Sequence, residues 1–121
     1  MARTELTATP ITAIGIDLTD AYEAAHTDGN KFVNHGHELI ALANGSGVTR
    51  TLTVQTPAQT DDGLDIEERT VAVLAGTTAL VGPFDPAVYN RRKGAVDAGS
   101  IYIDLDIITS VQVAIVRPDA Y

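Results

Sequence analysis

VTRTLTVQT, residues 48–56, decides the class of fold. Val48, Leu52 and Val54 fall on one face and Thr49, Thr51, Thr53 and Gln55 on the other, which is the period of a half-buried strand. Arg50 interrupts the apolar face, which predicts a strand end at the rim, where its long side chain reaches water. Working outward, IYIDLD (101–106) places Ile101, Ile103 and Leu105 opposite Tyr102, Asp104 and Asp106. VQVAIV (111–116) repeats the pattern with Val111, Val113 and Ile115 inward. Only residues 107–110 separate these two runs, so they are expected to form an antiparallel hairpin. HELIALA (37–43) runs into NGSG (44–47), and RTVAVL (69–74) runs through AGTT (75–78) into ALVG (79–82). Asn44-Gly45 and Ala75-Gly76 accept positive φ at little cost, which predicts two more hairpins.

Short strands bounded by such turns define an all-β chain, expected as a single small antiparallel β-sandwich or jelly-roll-like barrel. The best helical window is LTDAYEAAHTDG (18–29), where Thr19 or Asp20 would cap and Gly29 would terminate. Ala24 and Ala25 within it fit either a short helix or an extended linker. The first 27 residues alternate only weakly, through Leu6, Ile11, Ile14, Ile16 and Leu18. They read as an N-terminal arm or as a first strand, ahead of a β-sandwich domain over 28–121. Leu6, Ile11 and Ile14 are the candidate arm contacts, on the chain's own sheets or on a neighbouring subunit.

Composition fits this picture. A chain of 121 residues supports one domain, and with two Phe, four Tyr and no Trp its core must be built from Val, Ile, Leu and Ala. The absence of cysteine excludes a disulfide framework, a thiolate metal site and a thiol nucleophile. The net charge of −8, with only two lysines and no basic stripe, argues against a nucleic-acid partner. An Asp-rich, Lys-poor surface suits plain solubility or work in concentrated salt. No window approaches a membrane span and the N-terminus lacks an apolar leader core, which predicts a soluble chain without membrane contact or cleavable leader.

No stretch carries a reaction. His35 and His37 would project together on a strand, but Gly36 suggests a turn and no third ligand accompanies them. Asp61, Asp62, Asp65, Glu67 and Glu68 crowd TDDGLDIEE without the register of a calcium loop, so a solvated acidic loop is the favoured reading. The three serines, Ser46, Ser100 and Ser110, lie in turn or strand-end contexts without a nucleophile elbow. ANGSG has neither the lysine nor the following helix of a phosphate loop. The expectation is a non-enzymatic protein without cofactor or metal. VGPFDPAVYN (81–90) is different in kind: Pro83 and Pro86 remove two backbone donors and fix φ, so the chain leaves its sheet in a rigid corner. Pro83, Phe84, Pro86 and Tyr89 are therefore the candidate interface or structural corner, the two aromatics either plugging the sandwich end or anchoring in a partner's pocket.

Taken in order, GNKFVNHGHELIALANGSG (29–47), VTRTLTVQTP, DDGLDIEERTVAVLAG (61–76) and LVGPFDPAVYN resemble a family of small tailed-phage virion proteins encoded beside head and capsid genes. The matching positions are Gly29, Phe32, Asn34, Gly36, Asn44, Gly45, Thr56, Pro57, Gly63, Leu64, Ala75, Gly76, Gly82, Pro83, Phe84, Pro86, Tyr89 and Asn90. Asp85 and His35 depart from the family pattern, as does the scarcity of lysine. The resemblance implies a capsid decoration or cement protein, made in the host cytoplasm and carried on the virion. It implies the major capsid protein as partner and a homo-oligomer, with a trimer at three-fold positions favoured. A low-copy head–tail connector, tail or fibre-base component is the alternative within the virion. From the residues alone, a carbohydrate- or calcium-binding module using loop 56–68 also stays open.

Overall fold

The computed structural model describes residues 3–12, 15, 21–26, 28–58, 62–64, 66–92 and 96–118. Two sheets pack against each other as a small β-sandwich. The first runs, in spatial order, β1 (Thr4–Glu5), β4 (Asn30–Val33), β9 (Ser100–Leu105), β6 (Arg50–Val54) and β7 (Arg69–Val73). The second runs β2 (Ala8–Ile11), β10 (Val111–Pro118), β5 (Leu39–Asn44) and β8 (Thr78–Val81), with β3 (Glu23–Ala24) also paired to β10. Between the sheets lie Phe32, Leu52, Val54, Ile101 and Ile103 from the first and Ile40, Leu42, Val111, Val113 and Ile115 from the second, all buried. These are the apolar positions of each alternating run, so the sequence period sets which face turns inward.

The connections differ from those expected. β9 pairs with β4 and β6, whereas β10 pairs with β2, β3 and β5, so residues 106–110 carry the chain across from one sheet to the other and no 101–116 hairpin forms. The Asn44-Gly45 turn likewise joins β5 of the second sheet to β6 of the first, and the Ala75-Gly76 turn joins β7 of the first to β8 of the second. All three anticipated hairpins are arches over the core. Alternation marks the buried face of a strand, and that face is the same whether its neighbour lies beside it or across from it. Among the described residues the hairpin between consecutive strands is β6–β7, joined through residues 55–68.

Asn44 shows why the arches hold. It is buried inside the arch end, and its Nδ2 donates to the carbonyls of Val48 (2.9 Å), Val73 (2.9 Å) and Leu74 (3.3 Å). Its Oδ1 accepts from Ser46 N (3.1 Å) and Ser46 Oγ (2.6 Å), while its own backbone N–H donates to Thr77 O (2.9 Å). Gly45 N adds a bond to Ser110 O at 2.9 Å, so one residue pair ties all three arches. Arg50 is a correction at the same end: it turns inward and is buried, its guanidinium reaching Thr109 O at 3.5 Å, while Val48, expected on the apolar face, is exposed ahead of β6.

The N-terminal segment is tied into both sheets. β1 adds parallel to β4, and β2 adds parallel to β10, which makes both sheets mixed instead of purely antiparallel. Between them Leu6 enters the core, its N–H bonded to Lys31 O at 2.8 Å. Glu23 and Ala24, inside the window expected to favour a helix, form β3 against Val113 and Gln112; residues 18–20 and 27 of that window lie outside the described residues. The outward positions Ala41, Ala114 and Val116 of the second sheet are buried too, as the unbroken apolar run 113–116 would require of a strand covered on both faces. The outward face of the first sheet is polar.

Candidate interaction site

The corner after β8 starts at Gly82, whose φ is +128° and whose absent Cβ would lie 3.1–3.2 Å from Leu39 Cδ2, Glu38 O and Phe84 Cε2. Only glycine fits that combination of conformation and contact. Asp85 then caps a short helix, α1 (Pro86–Tyr89), its carboxylate accepting from Ala87 N at 2.9 Å with Pro86 in the first turn, where a missing N–H costs nothing. Phe84 is 4% exposed and packs on Phe32 (ring centroids 6.5 Å apart) and edge-on against Tyr89 (5.1 Å). Phe84 thus plugs the sandwich end, half-buried Tyr89 covers it, and Pro83 and Pro86 stand exposed around them.

Two asparagines clamp this corner to the end of β4. Asn34 Nδ2 donates to Phe84 O (3.1 Å) and Asn90 Oδ1 (2.7 Å), and Asn90 Nδ2 returns bonds to Asn34 O (2.9 Å) and Gly99 O (3.1 Å). Asn34 Oδ1 also accepts from Gly36 N at 3.1 Å, inside a turn where Gly36 has φ +96°. That turn separates His35 and His37 from the strand geometry a metal pair would need. Both backbone N–H groups instead point at Glu38, His35 N at 2.7 Å and His37 N at 3.3 Å, and His35 Nδ1 lies 2.9 Å from the same carboxylate. Burial pushes the Glu38 carboxyl up, but the hydrogen bonds from His35 and the turn amides outweigh it and hold the group below its ordinary value.

An open cleft of about 250 Å³ lies beside this turn, between the N-terminal strands and the end of β10, with Leu6, Val33, His35, Glu38 and Arg117 among its walls. Of the candidate arm contacts, Leu6 faces the core and this cleft, Ile11 is half-buried at the end of β2, and Ile14 lies outside the described residues. Leu6 is therefore spent within its own fold.

The outward face of the first sheet holds the densest polar cluster. Tyr102 lies between two guanidinium groups, Arg91 at 4.0 Å and Arg3 at 4.4 Å from its ring centroid. Arg3 pairs with Asp104 at 2.7 Å, Gln55 Nε2 donates to the same carboxylate at 2.7 Å, and Arg91 Nη2 donates to Gln55 Oε1. Asp97 receives Lys31 Nζ at 2.7 Å and the Tyr102 hydroxyl at 2.6 Å. Those two bonds hold the Asp97 carboxyl below its ordinary value, and Asp97 in turn raises both Lys31 and Tyr102. The alternation of IYIDLD points Tyr102 and Asp104 outward; Asp97 is close to Tyr102 in sequence, but Arg3, Gln55 and Arg91 come from positions too distant for any local pattern to pair.

The acidic loop offers less. Asp61 and Asp65 lie outside the described residues, Asp62, Glu67 and Glu68 are exposed, and the loop is drawn in by Thr56 Oγ1 donating to Ile66 O at 2.6 Å. Among the described residues no group of three His, Cys, Asp or Glu side chains is placed to hold a metal ion, and no helix is long and apolar enough to cross a membrane. No protein-family model, no curated protein and no solved structure matches the chain.

Proposed function

We propose that this chain is a non-enzymatic virion structural protein, a decoration or cement protein that binds the outer surface of an assembled tailed-phage head and stabilises it. The observation that carries the reading is the ordered motif over residues 29–90, together with where its residues lie. Asn34, Gly36, Phe84, Tyr89 and Asn90 meet at one corner, and Asn44 with Gly45 ties the arches. Such a motif specifies a stiff module, not a reaction. A stiff module that binds only the assembled lattice stabilises it by linkage, in proportion to its affinity and occupancy.

In this reading the partner is the major capsid protein, and the docking face is the outward surface of the first sheet around Tyr102. Tyrosine and arginine are enriched where interfaces are formed, and here Arg3, Arg91 and Lys31 gather on one face of a chain whose net charge is −8. Quantitative mass spectrometry of density-purified particles tests the reading by counting this chain against the major capsid protein. A ratio near one to one, or a simple fraction of it, supports lattice-wide decoration. A handful of copies replaces it with a connector, tail or fibre-base role, and complete absence overturns the virion assignment.

A further inference from the structure

β8 ends the second sheet, and among the described residues β5 is its one strand partner. Its outer edge presents a row of backbone donors and acceptors, a template for another strand. Protein edges are usually blunted by brevity, proline, bulges or charge. The opposite side of this sandwich shows two of those devices: β1 is two residues long and β2 carries Pro10. β8 shows neither proline nor charge. From Thr70 to Phe84, a stretch of 15 residues, no side chain is ionisable, in a chain with 24 formally charged residues (16 acidic plus 8 basic). At its middle Leu80 is 63% exposed, and the inward Ala79 and Val81 are only partly buried against the core.

We propose that β8 pairs antiparallel with β8 of a second copy of this chain about a two-fold axis, joining the two second sheets into one. With the axis at Leu80, that residue faces its own counterpart and Ala79 faces Val81 of the other copy, so the pairs over 79–81 are all apolar, and Thr78 falls opposite Gly82 just past the strand end. A second copy fits this edge better than a flexible peptide because its strand is already ordered and loses little conformational freedom on pairing. It also fits the charge: two bodies of net charge −8 meet with least repulsion along the uncharged strip. Antiparallel pairing of identical edges is what a two-fold axis generates, and it closes after two copies. The pairing stands independently of the virion reading, and its stoichiometry is two instead of the three that the family resemblance implies.

Sedimentation velocity and native mass spectrometry of the full chain over a dilution series test it. The expected species is a dimer that dissociates on dilution. Leu80→Lys and Leu80→Glu are each expected to be monomeric and to melt as the dilute, dissociated wild type does, because the side chain is exposed and outward. An equimolar mixture of the two is expected to give a heterodimer through opposite charges across the axis. Ala72→Lys on the exposed face of β7 is expected to stay dimeric. A wild-type chain that remains monomeric at the highest soluble concentration, a trimer, or Leu80→Lys that dimerises as tightly as wild type would each overturn the proposal, and the wild-type stoichiometry alone decides it should a variant fail to fold.

Discussion

The two sides of this sandwich treat the same problem in opposite ways. On one side the N-terminal strands close both sheets: β1 lies against β4, β2 against β10, and Leu6 between them fills the core. On the other side β7 and β8 end their sheets with nothing paired beyond them among the described residues, and the arch that joins them, 74–77, is held from within by Asn44. Burial therefore fastens the first side, whereas hydrogen bonds at one end fasten the second. The first should fail through loss of packing and the second through loss of a single polar residue.

The largest effect is expected at Leu6. Leu6→Ala removes a buried side chain that joins the arm to the core and should cost about 3 kcal/mol of unfolding free energy, read as a large fall in denaturant midpoint. Deleting residues 1–6 should go further and prevent a cooperative transition; a truncated chain that melts like wild type would break the contrast. Next comes Asn44→Ala, which leaves the carbonyls of Val48 and Val73 without their donor and should cost about 2 kcal/mol, with faster amide exchange at 74–78 than in the core strands.

The third effect is a pH dependence on the closed side. Asp97 is depressed in the folded chain, so its stabilisation is present at neutral pH and fades as pH falls through its folded value. Lys31 and Tyr102 are raised, so theirs is complete below their ordinary values near about 10 and is lost as pH rises through the folded ones. Asp97→Asn should therefore flatten both limbs of a melting-temperature profile, and an unchanged alkaline limb would show that the Lys31–Asp97–Tyr102 cluster adds nothing. The smallest effect belongs to the open side, where Leu80→Lys and Ala72→Lys should each change the stability of the monomer by no more than about 0.5 kcal/mol, measured in dilute denaturant titrations.

What could be read from the residues divides along physical lines. β5, β6, β7, β8, β9 and β10 all follow alternating or apolar runs, because a strand with one buried face writes that face into its sequence. Sheet membership was not readable, because Asn44-Gly45 and Ala75-Gly76 turn the chain equally well beside a strand or over the core. β4 escaped because buried Asn30 sits where an apolar residue would mark the face; its carboxamide accepts from His26 N at 3.1 Å instead. β1 and β3, two residues each, are too short to have a period. At the candidate site the prolines announced the corner, and the paired asparagines were visible as motif positions although not as partners. Arg3, Arg91 and Tyr102 were not, since stacking between residues so far apart leaves no local trace.

Residue-resolved amide exchange of the wild-type chain, at low and at high protein concentration, tests the contrast between the sides most directly. The expected result is slow exchange along β4 and β10 at both concentrations, with the β8 amides directed away from β5 fast in the dilute sample and slowed in the concentrated one. Equal protection of β8 at both concentrations, or exchange along β4 and β10 as fast as along β8, would contradict a sandwich closed on one side and open on the other.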